Sequence, residues 1–289
     1  MKPSRSEFIP IRGLKYPVMI WGDISAPKIF MLHGWMDVAA SFQFLVDALN
    51  GNRCVIAPDW RGFGRSDNTR ADVYWFAEYL ADLEALLQHY SPRAPVDLLG
   101  HSLGGNVAAL YAGVRPERVA RLINLEGFGL PRTRPEQAPE RYRRFLAELA
   151  DPPGLKAYKD FAELAARLRK NNPRLTQAKA DFLARHWGEE KDGQVALLAD
   201  PAHKIASATL YNLDEAQACW NAITAPTLVV TAAQSDLLAK WIGVEEFNAR
   251  LAHFRHLTAA SIDDAGHMMH HDQPEKLAAL IEEFLARQA

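Results

Sequence analysis

Cysteine is scarce: the chain of 289 residues carries two, Cys54 and Cys219. They stand far apart, each in an apolar stretch, which excludes a disulfide framework, reads both as buried thiols and suits a reducing compartment. Long apolar runs are also missing. The longest are strand-like and broken by Gly, Asp or His, well short of the roughly 20 residues needed to cross a bilayer, so no membrane association is expected. Met1 to Gly13 is charged and contains proline, without the roughly 7–15-residue apolar core of an export signal, so the expected address is the cytoplasm. Nor is charge of one sign in surplus: 33 Lys and Arg face 35 Asp and Glu, for a net charge of −2. That balance lacks the basic footprint of phosphate-backbone binding, and no nucleic-acid partner is expected. Internal repeats and low-complexity tracts are absent.

What is present is a globular composition. Hydrophobic residues make up 48% and charged ones 24%, enough to bury a sizeable core in one large domain or two modest ones. Short apolar runs at Lys28 to Leu32, Arg53 to Ala57, Val96 to Leu99 and Val119 to Leu125 read as buried strands. Between them, helical spacing recurs at Phe42 to Leu49, Tyr74 to Tyr90 and Leu103 to Val114. This alternation predicts a parallel sheet covered on both faces, an α/β fold. The pattern changes at Gly127. Pro131 to Pro135 opens about 90 residues with helices and no convincing strand, read as an insertion; within it Leu155, Tyr158, Phe161, Leu164 and Leu168 share one helical face. Strands resume at Thr227 to Thr231 and Arg255 to Ser261. A last helix starts near Asp272, which is expected to cap it with Glu275 three residues on.

The strongest chemical signal is Gly100-His101-Ser102-Leu103-Gly104, a G-x-S-x-G pentapeptide set between a strand and a helix. A side chain at such a turn takes strained backbone and projects from the sheet edge, and the flanking glycines are needed because a Cβ would collide with neighbouring elements. The helix start beneath Ser102 supplies unpaired N–H groups where an oxyanion would form.

A serine hydroxyl is a weak nucleophile at neutral pH, so it needs a base and a carboxylate that fixes the base's tautomer. His267, after the last strand, is the expected base. Asp236, after the strand Thr227 to Thr231, is the preferred acid, and the order Ser102, Asp236, His267 is nucleophile, acid, base. Glu126, at the end of the strand Val119 to Leu125, is the rival. The backbone N–H groups of Trp35, following His33-Gly34, and Leu103 are the expected oxyanion donors. His267, His270 and His271 have metal-ligand spacing if helical, but no H-E-x-x-H motif supplies a carboxylate, so no metal and no cofactor are expected. His270 and His271 read instead as capping or surface residues, and Asp37, Asp59 and Asp264 as turn-forming or salt-bridged ones.

His33-Gly34-Trp35, Asp59-Trp60-Arg61-Gly62-Phe63-Gly64-Arg65-Ser66, the Ser102 pentapeptide and Gly266-His267 together resemble the α/β-hydrolase superfamily, from about Ile11 to Ala289. His33 to Asp37 with Ala40-Ser41-Phe42 is similar to the capped serine hydrolase-like proteins. The resemblance implies an α/β-hydrolase fold: an eight-stranded, mostly parallel sheet flanked by helices, with a helical cap inserted after the sixth strand. Residues 1–128 and 219–289 would form the core and 129–218 the cap. One departure concerns the acid. Ser235 occupies the place usual in many relatives and Asp236 falls one residue later, while some relatives take the acid from the end of the sixth strand, where Glu126 lies. Serine at the nucleophile position excludes the Asp-dependent dehalogenase and epoxide hydrolase chemistries.

The expected activity is therefore serine-dependent hydrolysis, carboxylesterase-like, of a small, largely apolar ester or related acyl compound, with a small molecule as partner and homo-oligomerisation left open. Carbon-carbon hydrolysis or perhydrolysis by the same triad and a non-catalytic ligand receptor are the alternatives. Tyr158, Phe161, Trp187 and Tyr211 supply the insertion with apolar surface for a pocket. The Arg141-Tyr142-Arg143-Arg144 run reads as a solvated helix face.

Overall fold

The computed structural model describes residues 1–287, apart from the side chains of residues 238 and 239. Residues 288 and 289, the end of the expected second core segment, lie outside the described residues. Eight strands form one sheet: β1 (Ser4–Ile11), β2 (Leu14–Trp21), β3 (Lys28–Leu32), β4 (Cys54–Pro58), β5 (Val96–His101), β6 (Val119–Leu125), β9 (Thr227–Ala232) and β10 (Leu257–Ile262). Their spatial order is β1-β2-β4-β3-β5-β6-β9-β10. β1 and β2 run antiparallel, as do β2 and β4, and all later neighbours are parallel. This is the expected α/β-hydrolase sheet.

Apolar side chains on the two faces of each central strand enter different cores. On one face Phe30, Leu32, Ile56 and Leu98 pack with Leu83 and Leu87 of α2 (Phe76–Tyr90) and Val107 and Ala108 of α3 (Leu103–Val114). On the other, Ile29, Met31, Leu99 and Ile123 meet Leu45 of α1 (Gln43–Ala48) and Leu277, Ile281 and Phe284 of α10 (Pro274–Arg287). The first hairpin carries no helix-strand alternation, and its two strands were not evident in the sequence. Its turn, Arg12-Gly13, has positive φ at both residues, the conformation that suits a two-residue hairpin.

Between β6 and β9 lie α4 (Ala138–Ala150), α5 (Phe161–Asn171), α6 (Gln177–Trp187) and α7 (Leu213–Asn221). Two expectations are corrected here. The segment also holds an antiparallel hairpin, β7 (Gly188–Lys191) with β8 (Gln194–Leu197), and Asp192-Gly193 at its tip has φ of 52° and 74°. Leu155 and Tyr158 precede α5, and Tyr158 bridges to Val195 beside the hairpin. Ala216 and Trp220 of α7 belong to the core of the sheet. Leu164, Leu168, Leu183 and Val195 close a third, separate cluster. The short 3-10 segment Pro201–Lys204 docks this region onto the sheet: the His203 ring stacks between Phe63 and Tyr74 at centroid distances of 3.6 and 3.7 Å.

Candidate active site

Ser102 follows β5 with φ of 52° and ψ of −113°. Non-glycine residues rarely adopt such backbone, and it persists because its surroundings leave no alternative. Ser102 N–H donates to Leu125 O at 2.8 Å, tying the turn to β6. The glycines are required by contact. A Cβ on Gly100 would stand 2.3 Å from Gly104 O, and one on Gly104 would stand 2.0 Å from Leu32 O. Strand and helix therefore meet without side chains between them, and Ser102 is lifted into a cavity of about 760 Å³ that Leu103, Glu126 and His267 also line.

The loop after β3 comes up against the same turn. A Cβ on Gly34 would lie 3.3 Å from Ser102 Cβ, and Trp35 borders the cavity with Leu103. His33 braces this loop. Trp60 N–H donates to its Nε2 at 2.9 Å, so Nδ1 carries the proton and donates to Gly34 O at 2.8 Å. Burial pushes the His33 pKa down to about 3, which keeps the ring neutral. The Trp35 ring is no core aromatic: it is 53% exposed, and its Nε1–H donates to His203 O at 3.3 Å. Leu103 opens α3, so its N–H lacks an acceptor one turn back in the helix.

The segment after β4 holds the floor of the loop. Asp59 accepts from the backbone N–H of Ala39 and Arg65 at 2.8 and 3.1 Å, and Ser66 Oγ donates to Asp59 O at 2.6 Å. A Cβ on Gly64 would strike the Asp59 carboxylate, 2.1 Å from Oδ2. Arg61 does not touch this loop's acid; it forms a buried fork with Asp82 of α2.

At the same cavity, His267 Nδ1–H donates to Glu126 Oε2 at 2.7 Å. The carboxylate is fully buried and also accepts from Ala232 N–H at 3.0 Å and Ser235 Oγ at 2.8 Å. The structure thus puts Glu126, and not Asp236, at the imidazole. Asp236 lies in the expected loop, but its side chain is 75% exposed and pairs with Lys240, which holds its pKa below the usual value. The reason is local geometry. Ser235, at the usual acid position, points inward and donates to Glu126, so the next residue turns outward. Glu126 itself has φ of 52°, and Asn124, bonded to Gly127 N–H and Gly127 O at 2.7 and 2.8 Å, shapes the turn that aims it. Asn106 and Arg250 were not singled out in the sequence, and Asp272 was read there only as a helix cap, yet each fixes a loop here. Asn106 Oδ1 accepts from Gly129 N–H at 2.7 Å, and Arg250 donates to Phe128 O and Leu130 O at 2.9 and 3.0 Å. Asp272 does not cap the last helix. Its carboxylate accepts from Gly266 N–H at 2.9 Å and Asn172 Nδ2 at 2.7 Å, which anchors the turn before His267.

The Nδ1–H tautomer leaves Nε2 of His267 with a lone pair facing the cavity of Ser102. Among the described residues, Ser102 Oγ makes no hydrogen bond to that nitrogen; such bonds are often long without substrate and tighten when it binds. His270 and His271 depart from the surface reading: both are buried, on the short helix α9 (Met269–Asp272). Asp59 and Asp264 do shape turns, the latter at φ of 60° and paired with Lys276. Tyr158, Phe161, Trp187 and Tyr211 do not line the Ser102 cavity; Trp35, Tyr74, Phe76, Phe128, Leu130 and Trp241 do. No helix among the described residues is long and apolar enough to cross a membrane.

The sequence profile of the alpha/beta hydrolase fold matches residues 27–274. The chain belongs to that family. It is 24% identical over its whole length to a serine hydrolase-like protein of Danio rerio, covering 91% of that protein. To a 3-hydroxybutyrate-oligomer hydrolase of Cupriavidus necator it is 27% identical, over 89% of this chain and 88% of that one. Among solved structures, the thioesterase domain from the curacin biosynthetic pathway superposes with a TM-score of 0.87 at 24% identity, covering 97% of this chain and 100% of that domain. E-2-(acetamidomethylene)succinate hydrolase superposes with a TM-score of 0.78 at 22% identity, over 98% and 100%. The profile and the two relatives support a hydrolase, and the solved structures show the fold.

Proposed function

We propose that the protein is a serine hydrolase that cleaves a small, largely apolar ester through an acyl-enzyme on Ser102. Ser102 Oγ attacks the carbonyl carbon while His267 Nε2 takes its proton. Glu126 holds Nδ1–H, orients the ring and stabilises the imidazolium that forms. The tetrahedral oxyanion is held by the backbone N–H groups of Trp35 and Leu103. His267 then returns the proton to the leaving alcohol, and a water repeats the sequence on the acyl-enzyme. The aromatic wall of the cavity favours an apolar acyl or alcohol group. One observation carries the reading: the His267–Glu126 hydrogen bond opens onto the cavity into which strained backbone lifts Ser102. The names of the relatives, one a serine hydrolase-like protein and one an oligomer hydrolase, support the reaction class.

The test is labelling with a fluorophosphonate alongside turnover of p-nitrophenyl esters. Labelling and turnover of the native chain, both lost in Ser102→Ala, are expected. Absence of both from the folded native chain would favour a ligand receptor. Turnover of a diketone in preference to every ester and thioester would move the assignment to carbon-carbon hydrolysis.

A further inference from the structure

A second group of reactive side chains lies one residue from the nucleophile and takes no part in the reaction above. Asp37 follows β3, His101 ends β5 and His270 sits on α9, and all three are buried. One ligand atom of each lies within 4.8 Å of the others, with Asp37 Oδ2 and His270 Nε2 3.9 Å apart. Asp37 Oδ2, His101 Nδ1 and both ring nitrogens of His270 have no hydrogen-bond partner. Polar atoms left unpaired in the interior are rare and unfavourable, and so many in one place call for an explanation.

The surroundings of His101 and Asp37 have the form that orients metal ligands. His101 Nε2–H donates to His267 O at 2.9 Å, which leaves the lone pair on Nδ1. Asp37 Oδ1 accepts from Val38 N–H at 2.8 Å and from Ser41 Oγ. Ligating imidazoles donate their other N–H to a carbonyl or carboxylate, and ligating carboxylates are themselves hydrogen-bonded. Asp37 also lines a cavity of about 150 Å³, walled by Met36, Tyr158, Leu164 and Trp187.

We propose that Asp37, His101 and His270 bind one divalent transition-metal ion. Two imidazoles and one carboxylate favour a first-row transition ion over calcium or magnesium, which prefer oxygen donors. Zinc bonds of about 2 Å require the three ligand atoms to close in by about an ångström, within the reach of side-chain rotation. The site uses neither Ser102 nor Glu126, so it stands or falls separately from the hydrolytic reading.

The test uses zinc and cobalt on the intact chain, with no readout from turnover. Calorimetry on the native chain is expected to show one zinc bound, and cobalt to give the visible bands of a four- or five-coordinate ion. Asp37→Asn, which keeps side-chain volume, and His270→Gln are expected to weaken zinc by more than about 10-fold, the scale of losing even an outer partner. His267→Ala is expected to retain it. No zinc on the native chain, or only the faint spectrum of hydrated cobalt, would overturn the proposal without any variant. Zinc lost in His267→Ala but kept in Asp37→Asn would overturn it too, placing the ion on the hydrolytic pair.

Discussion

At the edge of the sheet, Ser102 and Glu126 stand on backbone that is bonded across to a neighbouring strand. Ser102 N–H donates to β6 and Glu126 N–H to Val230 O of β9, at 2.8 and 3.1 Å. In α4 of the insertion no residue is buried, and its ion pairs run along the helix, Arg143 with Glu140 and Arg144 with Glu148, whose carboxylate also accepts from Ala206 N–H at 2.6 Å. Exposed pairs of that kind contribute little and tolerate change. The contrast separates two duties. The strand ends hold reacting atoms in place, and the helix above them encloses the site, where Arg144 reaches the cavity rim.

Substitutions can break or sharpen that contrast. The largest effect is expected of Ser102→Ala, which should lower ester turnover by about 10⁴-fold or more. Glu126→Gln should follow with about 10²–10⁴-fold in kcat, because the imidazole loses its orienting charge. Asp236→Asn should stay within about 2-fold, as befits an exposed pair; steady-state kinetics on one p-nitrophenyl ester ranks the two, and the reverse order would undo the assignment of the acid.

Stability should divide along the same line. Arg250→Met removes the donor of Phe128 O and Leu130 O, so urea unfolding should show a loss of about 2–4 kcal/mol. Arg144→Gln should change the midpoint by less than about 0.5 kcal/mol. Equal losses would mean that α4 is as firmly built as the sheet edge.

Stability is also expected to depend on pH. Burial lowers His33 and His203 from 6.5 to about 3. Between those values the unfolded chain binds protons that the native one refuses, so stability is complete above about pH 6.5 and falls as pH drops toward 3. Thermal unfolding midpoints from pH 7 to pH 4 check this, and His203→Gln, which removes one such proton, should flatten the slope.

The sequence was most legible where a constraint is local. Gly100 and Gly104 are demanded by their own strand-helix turn, and the apolar runs at Lys28–Leu32 and Val119–Leu125 coincide with observed strands. Asp192-Gly193 carried a hairpin signal of the same local kind, although helical neighbours masked it. The apolar spacing of Leu155 and Tyr158 misled because that spacing continues past the helix start at Phe161. His270 and His271 read as polar surface, and only the packing of α9 against Phe42 and Phe44 buries them.

From residue order alone came the parallel sheet and Ser102 and His267 as the proposed nucleophile and base, since each is marked by neighbours a few positions away. The choice of Glu126 over Asp236 came only from tertiary structure. Glu126 and His267 are 141 positions apart, and their meeting depends on β6 lying beside β9 and on Ser235 turning inward where an acid would otherwise stand. A chain determines cheaply what one turn can enforce, whereas the direction of a side chain at the end of a strand is decided by whatever the adjacent strand presents to it.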